Sequence, residues 1–222
     1  MSYFTPEYLK FFRGLAKNNS KTWFEANRER YENEVKKPFT AFVEQMIARI
    51  HAEDAEVRIS AKEAIFRINR DIRFSKDKTP YKTHMAALIS PAGRADHETP
   101  GFYLQFGADM VMLAGGVYTP ANESVYRIRR AIVNHPKEFQ ALLQGKEFKK
   151  KYVTLQGETN KVLPGEFKEA ALQQPLLANK QFYYAAELEA ETILKKNLPK
   201  FLMQYCRAGR GMNAFLKRAL GK

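Results

Sequence analysis

Apolar residues recur at helical spacing through the first part of the chain. Leu9, Phe12 and Leu15-Ala16 share one face after Thr5-Pro6. That pair is a start signal: the threonine can cap, and the proline takes the first helical position, where its missing N–H is harmless. Asn18-Asn19-Ser20 ends this helix and offers Ser20 as the cap of the next, which carries Trp23, Phe24 and Tyr31. Pro38 either kinks that helix or opens a third, whose apolar face is Phe39, Phe42, Val43, Met46, Ile47 and Ile50.

The period then changes. Val57-Arg58-Ile59 alternates, and Phe66, Ile68, Ile72 and Phe74 occupy every second position apart from Arg70, as in a strand. Ile65, Ile68 and Ile72 also fit a helix. Thr83–Ser90, Phe102–Phe106 and Met110–Tyr118 are further strand candidates. The turn-rich run from Pro91 to Gly101 joins the first two, and Gly107-Ala108-Asp109 joins the second to the third. Adjacent antiparallel pairing is the economical topology.

Helical spacing returns after Thr119-Pro120, read as another capping pair. Val125, Ile128 and Ile132 form one face; His135-Pro136 ends that helix or starts another with Phe139, Leu142 and Leu143. Gly157 to Gly165 reads as a loop, and Phe182-Tyr183-Tyr184 as a short strand. A helical tail follows, with Gly209-Arg210-Gly211 expected to interrupt it. The pattern predicts one α+β domain over 1–222. A central antiparallel sheet of about four or more strands lies in 57–118, with helical parts at 1–56 and 119–222.

Composition narrows the class. The 222 residues, 45% hydrophobic and 13% aromatic, suit a folded globule. No apolar run approaches the roughly 18 residues that span a bilayer, and no signal peptide is evident at the start. A lone cysteine, Cys206, cannot form an internal disulfide and fits a cytoplasmic location. The net charge of +13 is concentrated: Arg58–His84 holds eight Lys/Arg against three Asp/Glu, and Lys195–Lys222 holds eight against none. Such excess draws anionic partners, or merely keeps the protein soluble.

The central segment carries the chemistry. If 66–74 is extended, Arg67, Asn69, Asp71 and Arg73 share one face while the apolar residues anchor the other. Paired guanidiniums on a strand suit a phosphate or carboxylate. Arg70 must reach solvent or a carboxylate. Ser75, Thr79 and Tyr81 add hydroxyls, and Lys76, Lys78 and Lys82 add mobile charge. If chemistry occurs, His84 is the natural proton shuttle, and Asp71 and Asp77 can orient it, ligate a cation or simply neutralise the arginines. Gly115-Gly116, followed by Tyr118, invites a bulge that opens space for a ligand, or one that only serves packing. Arg–Asp networks of this kind also occur purely to fix a strand-to-loop junction.

The run Phe66-Arg67-Ile68-x-Arg70-Asp71-x-Arg73-Phe74-Ser75-Lys76-Asp77-Lys78-Thr79-Pro80-Tyr81-Lys82-Thr83-His84 resembles the signature of the family called domain of unknown function 2461. The likeness extends through Phe4-Thr5-Pro6, Asn27-Arg28-x-x-Tyr31, Pro100-Gly101-Phe102-Tyr103, Gly115-Gly116-x-Tyr118-x-Pro120 and Ile128-Arg129-x-Ala131-Ile132. It covers nearly the whole chain. What it implies is a single-domain protein, with no activity or site residue to carry over.

Other signals are weak. Gly209-Arg210-Gly211 lacks the spacing of a phosphate loop. His51, His97 and His135 make no metal-ligand spacing with Cys206, so no metal site is expected. Asp96-His97-Glu98 reads as a solvated loop tip. The leading expectation is recognition of a phosphorylated or other anionic small molecule, with acid/base chemistry by His84 and Asp71 as an extension. The rivals are a nucleic-acid-binding module, with Phe74 or Tyr81 stacking on bases, and a scaffold for acidic protein partners. Cofactor and oligomeric state stay unknown.

Overall fold

In the computed structural model, which describes residues 2–222, the chain forms helices, then a sheet, then helices again. The first group is α1 (Pro6–Lys17), α2 (Lys21–Ala26), α3 (Arg28–Arg30), a π-helical stretch Tyr31–Lys36, α4 (Lys37–His51) and the short α5 (Ala61–Ala64). Ser20 caps α2 by accepting the Trp23 N–H. Thr5 stands at the start of α1, but its hydroxyl makes no cap bond and donates to Glu34 instead. Pro38 lies in the first turn of α4, at its junction with the π-helical stretch, so the proline marks a change of helix type rather than a free start.

The sheet has four strands in the order β1-β2-β3-β4, all neighbours antiparallel: β1 (His84–Ile89), β2 (Gly101–Gly107), β3 (Met110–Val117) and β4 (Phe182–Glu189). The fourth strand is longer than the three aromatic residues that announced it. Between β3 and β4 run α6 (Asn122–Asn134), α7 (Pro136–Gln144), α8 (Lys146–Tyr152) and α9 (Gly165–Gln173), and α10 (Leu198–Leu220) closes the fold.

Strand alternation divides the sheet into two unlike faces. Met85, Ala87, Leu104, Phe106, Leu113, Val117, Phe182 and Tyr184 point to the covered face and are buried. Both α4 and α10 pack against the sheet, on β1 and β3 respectively. Phe4, Tyr8, Phe39 and Phe42 join the same hydrophobic cluster, with the Phe42 ring 5.1 Å from that of Phe106.

Three sequence expectations are corrected. First, Gly209-Arg210-Gly211 does not break the tail; α10 runs through it without interruption. Gly209 is needed because a Cβ there would sit 2.2 Å from the Tyr184 hydroxyl. Absence of a side chain lets strand and helix meet, so the glycine serves close approach rather than a turn. Second, the cap of α6 is not Thr119-Pro120. The helix starts at Asn122, and the Glu98 carboxylate accepts from the Ala121 N–H and the Ser124 hydroxyl, satisfying donors at its positive end. Third, Asp96 and Glu98 are not a solvated tip, since Asp96 also accepts from the C-terminal Lys222 at 2.6 Å.

The larger correction concerns 66–74, which is not a continuous strand. Only single bridges form, Ile65 with Ala87 and Asn69 with Tyr81. Backbone bonds from Phe66 to Ala86, Lys82 to Ile68 and Arg70 to Pro80 lay the segment along the outer edge of β1 as an irregular hairpin. Beyond Arg70, side chains capture backbone donors: Asp71 takes the Arg73 N–H and Asp77 the Thr79 N–H. Such local bonds compete with a ladder, and Pro80 has no N–H to add. Phe74, expected to anchor the core, is 95% exposed at the tip.

Candidate functional site on the open sheet face

Among the described residues no helix covers the second face of the sheet, and a cavity of about 570 Å³ lies over it. Strand register sets its floor. One row across the sheet reads Leu88, Tyr103, Ala114, Ala185; the next reads Ala86, Gln105, Met112, Glu187. Gly116 opposes both Gly101 and Tyr183 at one end. Small side chains at Ala86, Ala114, Ala185 and Gly116 leave the hollow that larger residues would fill. The Gly116 φ of +89° and a Cβ position 2.3 Å from the Phe182 carbonyl restrict that position to glycine. Gly115, in contrast, points to the covered face, where Tyr184 fills the space over it.

Aromatic rings form the walls. Phe66 stacks with His97 and tilts toward Tyr103, with centroids 6.1 and 6.2 Å apart. At the other end Tyr118 meets Tyr183 edge-on at 5.1 Å. The Tyr103 hydroxyl donates to the Gln105 side chain at 2.9 Å, leaving the Gln105 amide hydrogens for another partner. Burial, aided by the nearby Tyr118, pushes the Tyr103 phenol up to about 12, so it stays a neutral donor.

Charge enters from the β1 edge. Lys82 is half-buried, with its ammonium 5.3 Å from the Phe66 ring centroid. Desolvation, and then Arg67, pull its pKa down. Ion pairs among the described residues engage neither Lys82 nor Arg67, nor Glu187 at the opposite edge. His84 lines the same cavity; burial first, then Lys82, lower its pKa to about 4, partly offset by Asp109. It is therefore a neutral imidazole near pH 7.

The expected residues separate into two sets. Lys82, His84, Gly115, Gly116 and Tyr118 all border the cavity. The others lie along the hairpin outside the cavity, Arg67 exposed and without an ion pair among the described residues, most of the rest held by local bonds. Arg70 is bonded by Asp77 and Thr79 and reaches Ser75, while Arg73 makes a two-pronged pair with Asp71 at 3.0 and 2.7 Å. These bonds hold the Asp71 and Asp77 carboxyls at about 2, the Arg73 side chain acting first on Asp71 and the Thr79 backbone first on Asp77. Asp71, spent on Arg73, makes no bond to His84. Lys78 donates to the Ile72 carbonyl, and Lys76 and Asn69 are exposed. Tyr81 is buried, stacked on Phe24 at 4.1 Å and fixed through its backbone by Asn19, so it is closed to a base.

Phe66, His97, Tyr103, Gln105, Met112, Tyr183 and Glu187 were missed as lining residues. Their alternation along β2, β3 and β4 was visible, but not which face the helices leave bare. The C-terminal basic segment is largely engaged: Glu53 takes Arg207 and Arg210, Asp54 and Glu56 take Lys217, and Glu138 takes Arg218. Among the described residues no group of three or more His, Cys, Asp or Glu side chains could hold a metal ion, and no helix is long and apolar enough to cross a membrane.

Helices packed on one face of an antiparallel sheet, with a lined hollow on the other, define an α+β protein with an open-face cleft. The chain belongs to the family described as conserved hypothetical protein (DUF2461), whose model matches residues 7–215. No curated protein matches it.

Proposed function

We propose that the open-face cleft binds a small organic anion, phosphorylated or carboxylated, within a one-domain chain. The observation that carries this reading is Lys82, a half-buried cation on an aromatic wall with no carboxylate partner. A charge held where desolvation disfavours it, and left unpaired, is a group awaiting a partner. The cavity volume falls within the range of small-molecule sites, and its lining mixes aromatic walls with few polar groups, as such sites do. Arg67, exposed and outside the cavity lining, adds positive potential beside Lys82. Arg70 and Arg73 hold the hairpin, and do not belong to the clamp.

His84 acts in this reading as a neutral hydrogen-bonding group. A conjugate acid near 4 makes it a weak base at neutral pH, so ligand binding takes precedence over acid/base turnover. The test is calorimetric titration with phenyl phosphate. Wild type binds, and Lys82→Met weakens binding about tenfold, the scale of a charge-assisted bond. Equal affinity in both proteins removes the proposal.

Exposed Phe74 favours a second reading, nucleic-acid binding at the hairpin tip, where the Arg73 guanidinium lies 5.8 Å from its ring and Lys76 is unbonded. A stacking platform ringed by cations is a single-strand binding device. It requires affinity for an oligonucleotide that falls steeply with salt and is lost in Phe74→Ala.

A further inference from the structure

The cleft is polar in a directed sense, and the direction restricts its ligand. Lys82 borders the cavity at the β1 edge, with Arg67 near it outside the lining; Glu187 stands on β4, across the width of the sheet. Three strand spacings separate those edges, about 14 Å, and the Lys82 ammonium, on the Phe66 ring, lies near the row of Ala86 that ends at Glu187. Between them lie Ala86, Ala114, Ala185 and Met112, which offer no charge.

From this arrangement we infer that the ligand is a dipolar organic molecule. Its carboxylate or phosphate meets Lys82, its apolar body lies on the alanine floor, and its amine or guanidinium meets Glu187. The inference rests on the anionic-ligand reading above and adds the second charge.

Two features support the cationic end. Glu187 borders the cavity, whereas Glu189, two residues on along the same strand face, does not. Five other acids, Glu53, Asp54, Asp71, Asp77 and Asp96, each receive a lysine or arginine. Glu187, exposed at the cavity border, receives none, although cations exceed acids by 13 in this chain. A simple monoanion would gain at Lys82 and meet repulsion at Glu187; a dipolar ligand gains at both. The Gln105 amide, beside Met112 in the same row, offers a neutral donor between the two ends.

The experiment compares octanoate with ω-aminooctanoate by calorimetric titration of the full chain. Wild type is expected to bind the amino acid about threefold to fivefold more tightly, the scale of a solvent-exposed ion pair. In Glu187→Gln the ratio of the two affinities falls to near one, and in Lys82→Met both weaken. Octanoate binding that needs Lys82, with no preference for the amino acid or a preference that survives Glu187→Gln, overturns the dipolar ligand and leaves the anion site standing. Failure of both probes to bind, or binding indifferent to Lys82, overturns the anion site and this inference with it. Thermal melts of both variants establish that they are folded.

Discussion

The Lys82 ammonium lies 5.3 Å from the centroid of the Phe66 ring, and its pKa is pulled down by burial and by Arg67. The pairing joins the two arms of the hairpin at the cleft wall. It also places an electrostatic liability at the site, since burial and a like charge both oppose the ammonium while only the ring favours it. Lys82→Met keeps the apolar stem on Phe66 and removes the charge. Its Tm is expected to equal that of wild type or exceed it by about 1–2 °C. A fall beyond that span shows Lys82 to be a structural residue.

His84 predicts a pH signature. Its pKa is lowered from 6.5 to about 4, so between those values the unfolded chain binds a proton that the folded chain refuses. Stability therefore rises with pH across that window and falls as pH drops from 6.5 toward 4. Thermal melts should show a shallower acid loss in His84→Gln than in wild type over that range. Identical slopes contradict the assignment. Asp71 and Asp77, with pKa values of about 2, contribute only at lower pH, below the ordinary carboxylate value of 3.8.

The arginines of the central run should behave differently from one another. Arg70, whose side chain is 26% exposed and bonded to Asp77 and Thr79, ties the hairpin together. Arg70→Ala is expected to destabilise by about 1–2 kcal/mol. Arg73 is mostly exposed, and Arg73→Ala should stay within about 0.5 kcal/mol of wild type. Arg67→Ala should leave stability alone and weaken phenyl phosphate binding. Denaturant unfolding of the three variants gives the ranking.

Glycines in α10 offer a contrast between neighbours. Gly209→Ala drives a methyl into the Tyr184 ring and the hydroxyl that bonds the Gly209 carbonyl at 3.0 Å. A loss of about 3 kcal/mol is expected. Gly211→Ala meets only the flexible end of Leu142 and gains helix propensity, so its stability should match wild type within about 1 kcal/mol. Urea unfolding of the pair decides whether these glycines mark packing or a break.

Much of the fold was legible because periodicity reports burial on one side of an element. The helical stripes of Leu9-Phe12-Leu15 and Phe39-Phe42-Met46, and the alternation of β1 to β3, needed no tertiary information. Gly209 misled because a glycine needed for contact with Tyr184 looks, in sequence, like one needed for a turn. The 66–74 run misled because Asp71 and Asp77 capture backbone donors that a ladder would use. Lys82, His84 and Gly116 could be picked out by chemistry. Tyr103, Gln105 and Glu187 could not, since they face a cleft only because α4 and α10 both lie on the other side of the sheet.

The most direct test of the open-face site is the map of amide chemical-shift changes when isotope-labelled protein is titrated with octanoate. The account predicts changes concentrated at Ala86, Gln105, Ala114 and Ala185, along the floor of the cleft. Changes confined to 71–79, or to the ends of α10, would contradict it.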